Sequence, residues 1–453
     1  RGTIGGEADK NLTPFDIVKF TTAYGQWLKN NTPSSGLKVV VGRDARISGQ
    51  MVKNIVNATL AALGIDVINL GLASTPTTEM AVPYYQASGG IIITASHNPK
   101  NWNALKLLNH QGEFLSDEEG KSVLNLTGQA AEFAPVEKLG QITNAFNFDE
   151  THLEKITKLP QVDKDAIKAA GFRVVFDGIN SVGGIIGPKL LEILGVEVEK
   201  VNCRPTGDFA HPAEPLPENL QDTARMVSRG GYDLGFVVDP DADRLAIINE
   251  DGTLFGEEYT LVAVADYILS MKPGNTVSNL SSSRALRDVT QTHGGTHQAS
   301  AVGEVNVVEK MKATQAVIGG EGNGGVIFPD LHYGRDAMVG MALFLSHLAR
   351  KKMRVSELRK SYPHYTIVKK RIELAPGVEV EQILKAIENR YRDDEEAAIN
   401  TEDGIKLDFD EGWVHLRKSN TEPIIRVIAE GVSQEKANAL ADAIHELASS
   451  LMK

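Results

Sequence analysis

The sequence predicts an α/β protein of several domains: three that each open with a strand, a turn and a helix, then a smaller α+β domain. Three observations carry this. At 453 residues the chain has room for about three domains of ordinary size. Its 42% hydrophobic and 23% charged content is that of a globular chain with a sizeable core. One pattern also recurs, an apolar strand followed by a turn bearing Gly, Ser or Asp and then an amphipathic helix.

The first unit has a strand at residues 37–41 and the turn Gly42-Arg43-Asp44-Ala45-Arg46-Ile47-Ser48-Gly49. A helix then runs to about Leu63, and a second strand follows at 65–70. The pattern returns as a strand at 174–176, the turn Asp177-Gly178-Ile179-Asn180-Ser181-Val182-Gly183-Gly184, a helix ending near Leu194 and a strand at 196–201. A weaker third instance is the strand at 277–280, Ser281-Ser282-Ser283-Arg284 and a short helix. The irregular spacing argues against a solenoid. Near residue 366 the order changes: a strand at 366–374, a helix at 378–391, strands at 404–409, 412–416 and 424–430, and a closing helix at 434–452. The expected domains are therefore 1–145, 146–253, 254–365 and 366–453.

Composition narrows the function. Lys+Arg 47 against Asp+Glu 59 gives a net charge of −12, which argues against a general nucleic-acid or membrane-surface binder. An anionic substrate needs only a local basic cleft and stays open. The lone Cys203 rules out an internal disulfide framework and a multi-Cys metal site, and suits a reducing cytoplasm. No stretch approaches the ~18 apolar residues of a membrane span, and no signal peptide is visible. The first residue is Arg1 rather than Met, so a few residues are expected to precede it.

Four loops carry chemistry. In the first, the apolar run Gly90-Ile91-Ile92-Ile93 leads into Thr94-Ala95-Ser96-His97-Asn98-Pro99, and Pro99 stops the strand. A Ser at a strand's end is placed to be a nucleophile or phosphate carrier, or only to cap a turn. Serine hydrolysis fits less well, since neighbours Ser96 and His97 point apart on an extended chain and no nucleophile elbow is present. The second loop is Asp239-Pro240-Asp241-Ala242-Asp243-Arg244, between two apolar strands. Three carboxylates this close repel one another, and a hard divalent cation removes the repulsion. Glu250 falls where an EF-hand needs its last ligand, but Arg244 stands at the Gly position and strands flank the loop. The third is Gly319-Gly320-Glu321-Gly322-Asn323-Gly324-Gly325, in which Glu321 and Asn323 suit sugar hydroxyls, although a plain hairpin turn has the same composition. The fourth is Arg417-Lys418-Ser419-Asn420-Thr421-Glu422-Pro423 with Arg426 beyond, a composition that suits phosphate or a solvated basic turn.

Taken in this order, the loops resemble those of the α-D-phosphohexomutases over essentially the whole chain. Thr94 to Pro99 resembles that family's phosphoserine loop, and Asp239 to Arg244 its metal loop. Glu321 to Gly325 falls at the sugar-reading loop, Arg417 to Arg426 at the phosphate-binding loop, and Arg1-Gly2-Thr3 at the end of the N-terminal Ile-Arg-Gly motif. The resemblance implies four domains around a central cleft, three similar α/β domains with mixed sheets and a smaller last one. It implies reversible transfer of phosphate between the 1- and 6-positions of a hexose phosphate, through phosphate covalently on Ser96 and a bisphosphorylated intermediate. One Mg²⁺ would rest on Asp239, Asp241, Asp243 and a phosphate oxygen on Ser96. Lys106 is the implied proton acceptor, its pKa expected to be lowered by nearby cations. Arg43 and Arg1 are candidate phosphate contacts near Ser96, and Arg244 and His97 join the catalytic set. His211 lies in a family segment at a domain interface, and His332, Tyr333 and Arg335 are further cleft candidates.

For the sugar, Glu321, Asn323, Gly303, Glu304, Arg417, Ser419, Asn420, Thr421 and Arg426 are the implied contacts. Asn323 replaces a usual Ser, Gly325 replaces a His of the glucose and mannose subgroup, and Glu304 stands where that subgroup has His. An added carboxylate suits an ammonium, so glucosamine phosphate is the first expectation and mannose or glucose phosphate the second. The expected partners are the hexose phosphate alone, with no nucleic acid and no membrane, in a monomer or homodimer. Two rivals remain at this level. A haloacid-dehalogenase-like phosphatase would use Asp239 as nucleophile, but Asp243 stands where Thr or Val is expected. A non-catalytic sugar-phosphate binder would need no metal loop.

Overall fold

The computed structural model describes residues 1–32, 36–375, 378–419 and 423–452. The chain forms two compact units, one of Arg1–Tyr267 and Asn323–Leu358, the other of Ile268–Gly322 and Arg359–Lys453.

The first unit holds two mixed sheets of one design. In the five-stranded sheet the order is Leu105–Leu108, Gly89–Ile93, Lys38–Arg43, Asp66–Leu72, Ile142–Asn144. All neighbours are parallel except the antiparallel edge pair of Gly89–Ile93 with Leu105–Leu108. The four-stranded sheet runs Leu245–Asn249, Leu234–Val238, Arg173–Asp177, Glu197–Val201, again with one antiparallel edge pair, the first. Gly89–Ile93 and Leu234–Val238 are buried along their whole length, as the apolar runs require of strands covered on both faces. Each is followed by a reversal into the antiparallel edge strand. The Ser loop and the Asp loop are those two reversals, at the carboxyl ends of parallel strands where open α/β sheets bind ligands.

Helix ends follow local rules. Pro14–Asn31 starts with a capping box between Thr13 and Asp16 and with Pro14 in the first turn. Ala337–Lys351 is capped by Asp336, whose carboxylate accepts from the N–H groups of Met338 and Val339, and is buried from Ala337 to Ala349. An all-round buried helix lacks the one-sided stripe that periodicity detects.

In the second unit, Thr276–Asn279 lies between His297–Ser300 and Ile318–Glu321, parallel to both. The C-terminal part is an antiparallel sheet ordered Thr366–Glu373, Ile424–Gly431, Gly412–Lys418, Ile405–Phe409, Ala398–Asn400. Helices Val380–Tyr391 and Gln434–Leu451 contribute Ile383, Ile387, Ala441 and Ile444 to its core. The expected α+β arrangement holds, with boundaries within two residues and one strand more than the sequence suggested. The added strand Ala398–Asn400 has three residues, too few to show alternation.

Candidate active site

The Ser loop is held from below by one buried arginine. Arg46 donates through Nη2 to the carbonyls of Ser96 at 2.5 Å and Asn98 at 2.7 Å, and through Nη1 to those of Pro99 at 2.7 Å and Trp102 at 3.0 Å. Its Nε pairs with Asp44 Oδ2 at 3.0 Å, and both side chains are shielded from solvent. Thr94 links the same acid to the loop: its hydroxyl donates to Asp44 Oδ2 at 2.7 Å and accepts the Ser96 N–H at 2.9 Å. Within this frame Ser96 sits at φ +48°, a left-handed conformation costly for a residue with a Cβ. Such strain persists only where the surroundings over-determine it. The Ser96 hydroxyl donates to Asp239 Oδ2 at 2.9 Å.

The Asp loop brings Asp239, Asp241 and Asp243 together, all fully buried, with one oxygen of each within 4.8 Å of the others. Asp239 Oδ1 accepts the N–H groups of Asp243 and Arg244, each at 3.1 Å, and so curls the loop round itself. Thr75, at the start of helix Thr75–Tyr84, donates its N–H to the Asp241 carbonyl at 2.9 Å and its hydroxyl to Asp241 Oδ2 at 2.6 Å. Lys106 Nζ lies 2.7 Å from Asp241 Oδ2 and 3.6 Å from Asp243 Oδ2, and Arg335 donates to Asp243 Oδ2 at 2.7 Å. Gly324 closes the floor. Its carbonyl accepts the Leu245 N–H at 3.0 Å, φ is +84°, and a Cβ there would meet the Leu245 carbonyl at 2.4 Å, so only glycine fits. The next residue back, Asn323, keeps a buried Oδ1 without a hydrogen-bond partner.

The charges set the protonation states. Burial, then Asp243 and Asp241, pushes Asp239 well above the usual carboxylate range. Burial works the same way on Asp241, but Lys106 and Thr75 outweigh it and hold that acid ionised. Lys106 differs from expectation. Burial lowers its pKa, yet Asp241 and Asp243 outweigh burial and raise it, so the ammonium is stabilised. Burial, then Arg244 and Arg1, drives His97 down to about 3, which leaves a neutral ring 3.4 Å from Ser96 Oγ. Arg244 has a buried Nε with no hydrogen-bond partner and lies 3.9 Å from Glu214 and 4.0 Å from Asp243, close enough for attraction but not for tight pairing.

The structure therefore gathers Ser96, His97, Lys106, Arg244, Arg335 and the three acids, and adds Arg46 and Thr75. Arg43 is not brought to Ser96. Its guanidinium donates to the Asp44 carbonyl at 2.9 Å and to Gln50. Arg1 precedes the strand Gly2–Thr3, which pairs with Trp102–Asn103 beyond the Ser loop, and its charge reaches His97, Asp241 and Asp243. His211 sits 3.4 Å from buried Asp177, which raises its pKa against the pull of burial, and His332 lies near Asp336 and Glu79.

The donor set fits a hard divalent cation. Asp241 Oδ1 and Asp243 Oδ1 are buried with no hydrogen-bond partner, a costly state that a Mg²⁺-type ion would relieve. Titration with Mg²⁺ is expected to raise the melting midpoint, with about 2.7 kcal/mol of stabilisation at a hundredfold excess over Kd. Asp239→Asn mimics the neutral acid that its surroundings favour. It should match or exceed the parent's stability without metal and lose most of the Mg²⁺ gain in the same thermal scan.

In the second unit, Glu321 is buried and accepts from Asn279 Nδ2 at 2.8 Å and from the Gly303 N–H at 3.2 Å. Gly303, at φ +124°, precedes helix Glu304–Thr314 and sets Glu304 at its first turn. Asp403 ties this loop to the anion turn: its Oδ2 accepts the Val302 N–H at 3.0 Å and Arg417 Nε at 3.1 Å. Arg417 and Arg426 face each other across neighbouring strands, a like-charge pair that destabilises a sheet unless an anion compensates it. Ser419 is buried and its N–H donates to the Ile424 carbonyl at 2.9 Å, while Asn420 and Thr421 lie outside the described residues.

Four family models match the chain in order. They are phosphoglucomutase/phosphomannomutase alpha/beta/alpha domain I over residues 1–133, domain II over 150–252, domain III over 256–365, and the C-terminal domain over 368–447. A phosphoglucomutase/phosphomannomutase of Thermococcus kodakarensis is 36% identical over 444 residues, covering 96% of this chain and 95% of the relative. A probable phosphoglucosamine mutase of Methanopyrus kandleri is 33% identical, covering 97% and 96%. The crystal structure of a phosphoglucomutase/phosphomannomutase family protein from Burkholderia thailandensis superposes with a TM-score of 0.84 at 24% identity, over 98% of this chain and 95% of that one, which shows the shared fold. With these matches spanning both units, the phosphatase and plain-binder readings fall away, and the chain belongs to the phosphoglucomutase/phosphomannomutase family of α-D-phosphohexomutases, which are isomerase-type enzymes.

Proposed function

We propose that this enzyme moves phosphate between the 1- and 6-positions of a hexose, with Ser96 carrying the phosphate between turnovers and glucosamine phosphate the preferred sugar. The observation that carries the reading is the Ser96 hydroxyl clamped 2.9 Å from Asp239 on a strained, arginine-held loop. The proposed step breaks the bond from phosphorus to Ser96 Oγ as a sugar hydroxyl oxygen bonds the same phosphorus. The hydroxyl loses its proton and Ser96 Oγ regains one. Lys106 and His97 are the groups placed for that exchange, Lys106 as the held ammonium and His97 as the neutral ring. The other phosphate of the sugar bisphosphate then returns to Ser96, which reverses the step at the opposite end. When bound at the three acids, Mg²⁺ neutralises charge on the transferring phosphate. Arg244 and Arg335 hold positive charge beside the acids, and Arg417 and Arg426 are proposed to grip the phosphate that is not reacting.

The domain limits 1–145, 146–253, 254–365 and 366–453 belong to the same proposal, as does a monomer or homodimer working in the cytoplasm. Consistent with the compartment, no helix among the described residues is long and apolar enough to cross a membrane. Burial also pushes the Cys203 thiol up to about 11, which keeps it unreactive. The test of the carrier is peptide mass spectrometry for phosphate on Ser96, expected in protein treated with a hexose bisphosphate and missing from Ser96→Ala.

The amino-sugar preference rests on Glu304, a buried acid one residue from the Gly303 N–H that binds Glu321. Comparing kcat/KM on the 1-phosphates of glucosamine, mannose and glucose is expected to rank glucosamine first. Glu304→Gln should cut that preference about tenfold, a loss of about 1.4 kcal/mol. The name of the Thermococcus relative favours a neutral hexose instead, and a parental preference for glucose 1-phosphate would establish that reading.

A further inference from the structure

A cationic cavity lies in the first unit, lined by none of the residues of the Ser–Asp centre. It has a volume of about 440 Å³ and is lined by Arg43, Gln50, Lys53, Leu70, Phe146 and Lys189 among others. Arg43 ends the strand Lys38–Arg43, Lys53 is in the first turns of helix Gly49–Ala62, and Lys189 is on helix Gly183–Ile193. The lining holds these three cations against one carboxylate, Asp149, which is already paired with Lys189 at 2.6 Å. Lys53 forms no ion pair among the described residues, and the proximity of Arg43 adds to burial in lowering its pKa. Arg43 Nε is buried without a hydrogen-bond partner. Arg43 and Lys53 both line the cavity and neither forms an ion pair among the described residues, which leaves the lining net positive on a chain whose net charge is −12. Apolar groups also line it: Leu70 is buried, and the exposed Phe146 ring lies against Gly71. The volume is that of small-molecule sites, which combine apolar walls with a few placed polar groups.

We propose that this cavity binds a phosphorylated small molecule with a flat body, of the nucleoside monophosphate class, its phosphate on Arg43 and Lys53 and its ring against Phe146. The cavity shares no lining residue with the Ser–Asp centre. It abuts the supports of that site, since Arg43 precedes Asp44, and Ser74 and Thr77 of the lining flank Thr75. The test is isothermal titration of the whole protein with adenosine monophosphate, and separately with inorganic phosphate, at low ionic strength. Saturable binding of the nucleotide is expected, tighter than that of phosphate. Lys53→Met should weaken it about tenfold or more with the melting midpoint unchanged. Phe146→Ala should weaken the nucleotide but not phosphate. Arg244→Ala, which removes a cation beside the three acids, should leave nucleotide binding at the parental level. The proposal is overturned by absence of saturable binding, by Lys53→Met binding as tightly as the parent, by phosphate binding as tightly as the nucleotide, or by loss of binding in Arg244→Ala.

Discussion

Ser96→Ala is expected to lower turnover by about a thousandfold to a millionfold, the range seen when a covalent carrier is removed from a preorganised site. The fold should tolerate it. The change removes one hydroxyl and its bond to Asp239 Oδ2, a net contribution of about 0.5–1.5 kcal/mol. It leaves the Arg46 clamp untouched, because the clamp grips backbone carbonyls rather than the Ser96 side chain. A companion variant separates chemistry from strain. Ser96→Gly removes the Cβ at φ +48° and should be more stable than Ser96→Ala by about 1 kcal/mol, yet equally inactive. Initial rates on hexose 1-phosphates and thermal denaturation of the two variants check this. Parental turnover in either one would remove Ser96 from the reaction.

Arg46→Met is expected to cost about 3–5 kcal/mol of stability, because it leaves Asp44 buried without its partner. It also strips the donors from four loop carbonyls, so activity should fall even where the protein remains folded. The deficit should depend on pH in a definite direction. Burial already raises Asp44 to about 6, with Arg46 and Thr94 pulling it down. A folded-state pKa above the unfolded value means that the native state binds more protons, so stability falls as pH rises through that window. Without Arg46 the native pKa rises further and the window extends upward. The gap between parent and variant is therefore expected to widen from pH 6 to pH 8 in urea unfolding curves. Arg46→Met combined with Asp44→Asn should recover part of the loss, since the uncompensated charge is gone. A gap that stays constant across that range would show that Asp44 is not the group left exposed to the loss.

Much of the site was legible because its chemistry is local in sequence. Ser96 at the end of an apolar strand, and three acids at alternate positions between two more, needed no partner to be recognised as loops with work to do. The same holds for Glu321 in its glycines and for Arg417 and Arg426, which the antiparallel register sets directly opposite each other. Arg46 and the partner of Arg335 were different. Arg46 stands three residues after Arg43 in one turn, and which of the two supports the Ser loop is decided by strand pairing, a contact spanning 50 residues to Ser96. Arg335 reaches Asp243 across 92 residues, through a helix start whose buried surroundings carry no periodic signal. The direction of the Lys106 shift had the same origin, since nothing in a linear reading weighs two carboxylates against burial.

By itself the sequence determined which groups exist and which short segments present them: the hydroxyl, the acid trio, the glycine turn and the basic turn, each written within about ten consecutive residues. Only the tertiary structure decided which arginine lies under the loop, which cation faces which carboxylate, and which charges are left without partners. The reason is physical. Backbone preferences act between neighbours in the chain, whereas Coulomb energies and desolvation depend on distances in space, and these exist only once the sheets have paired.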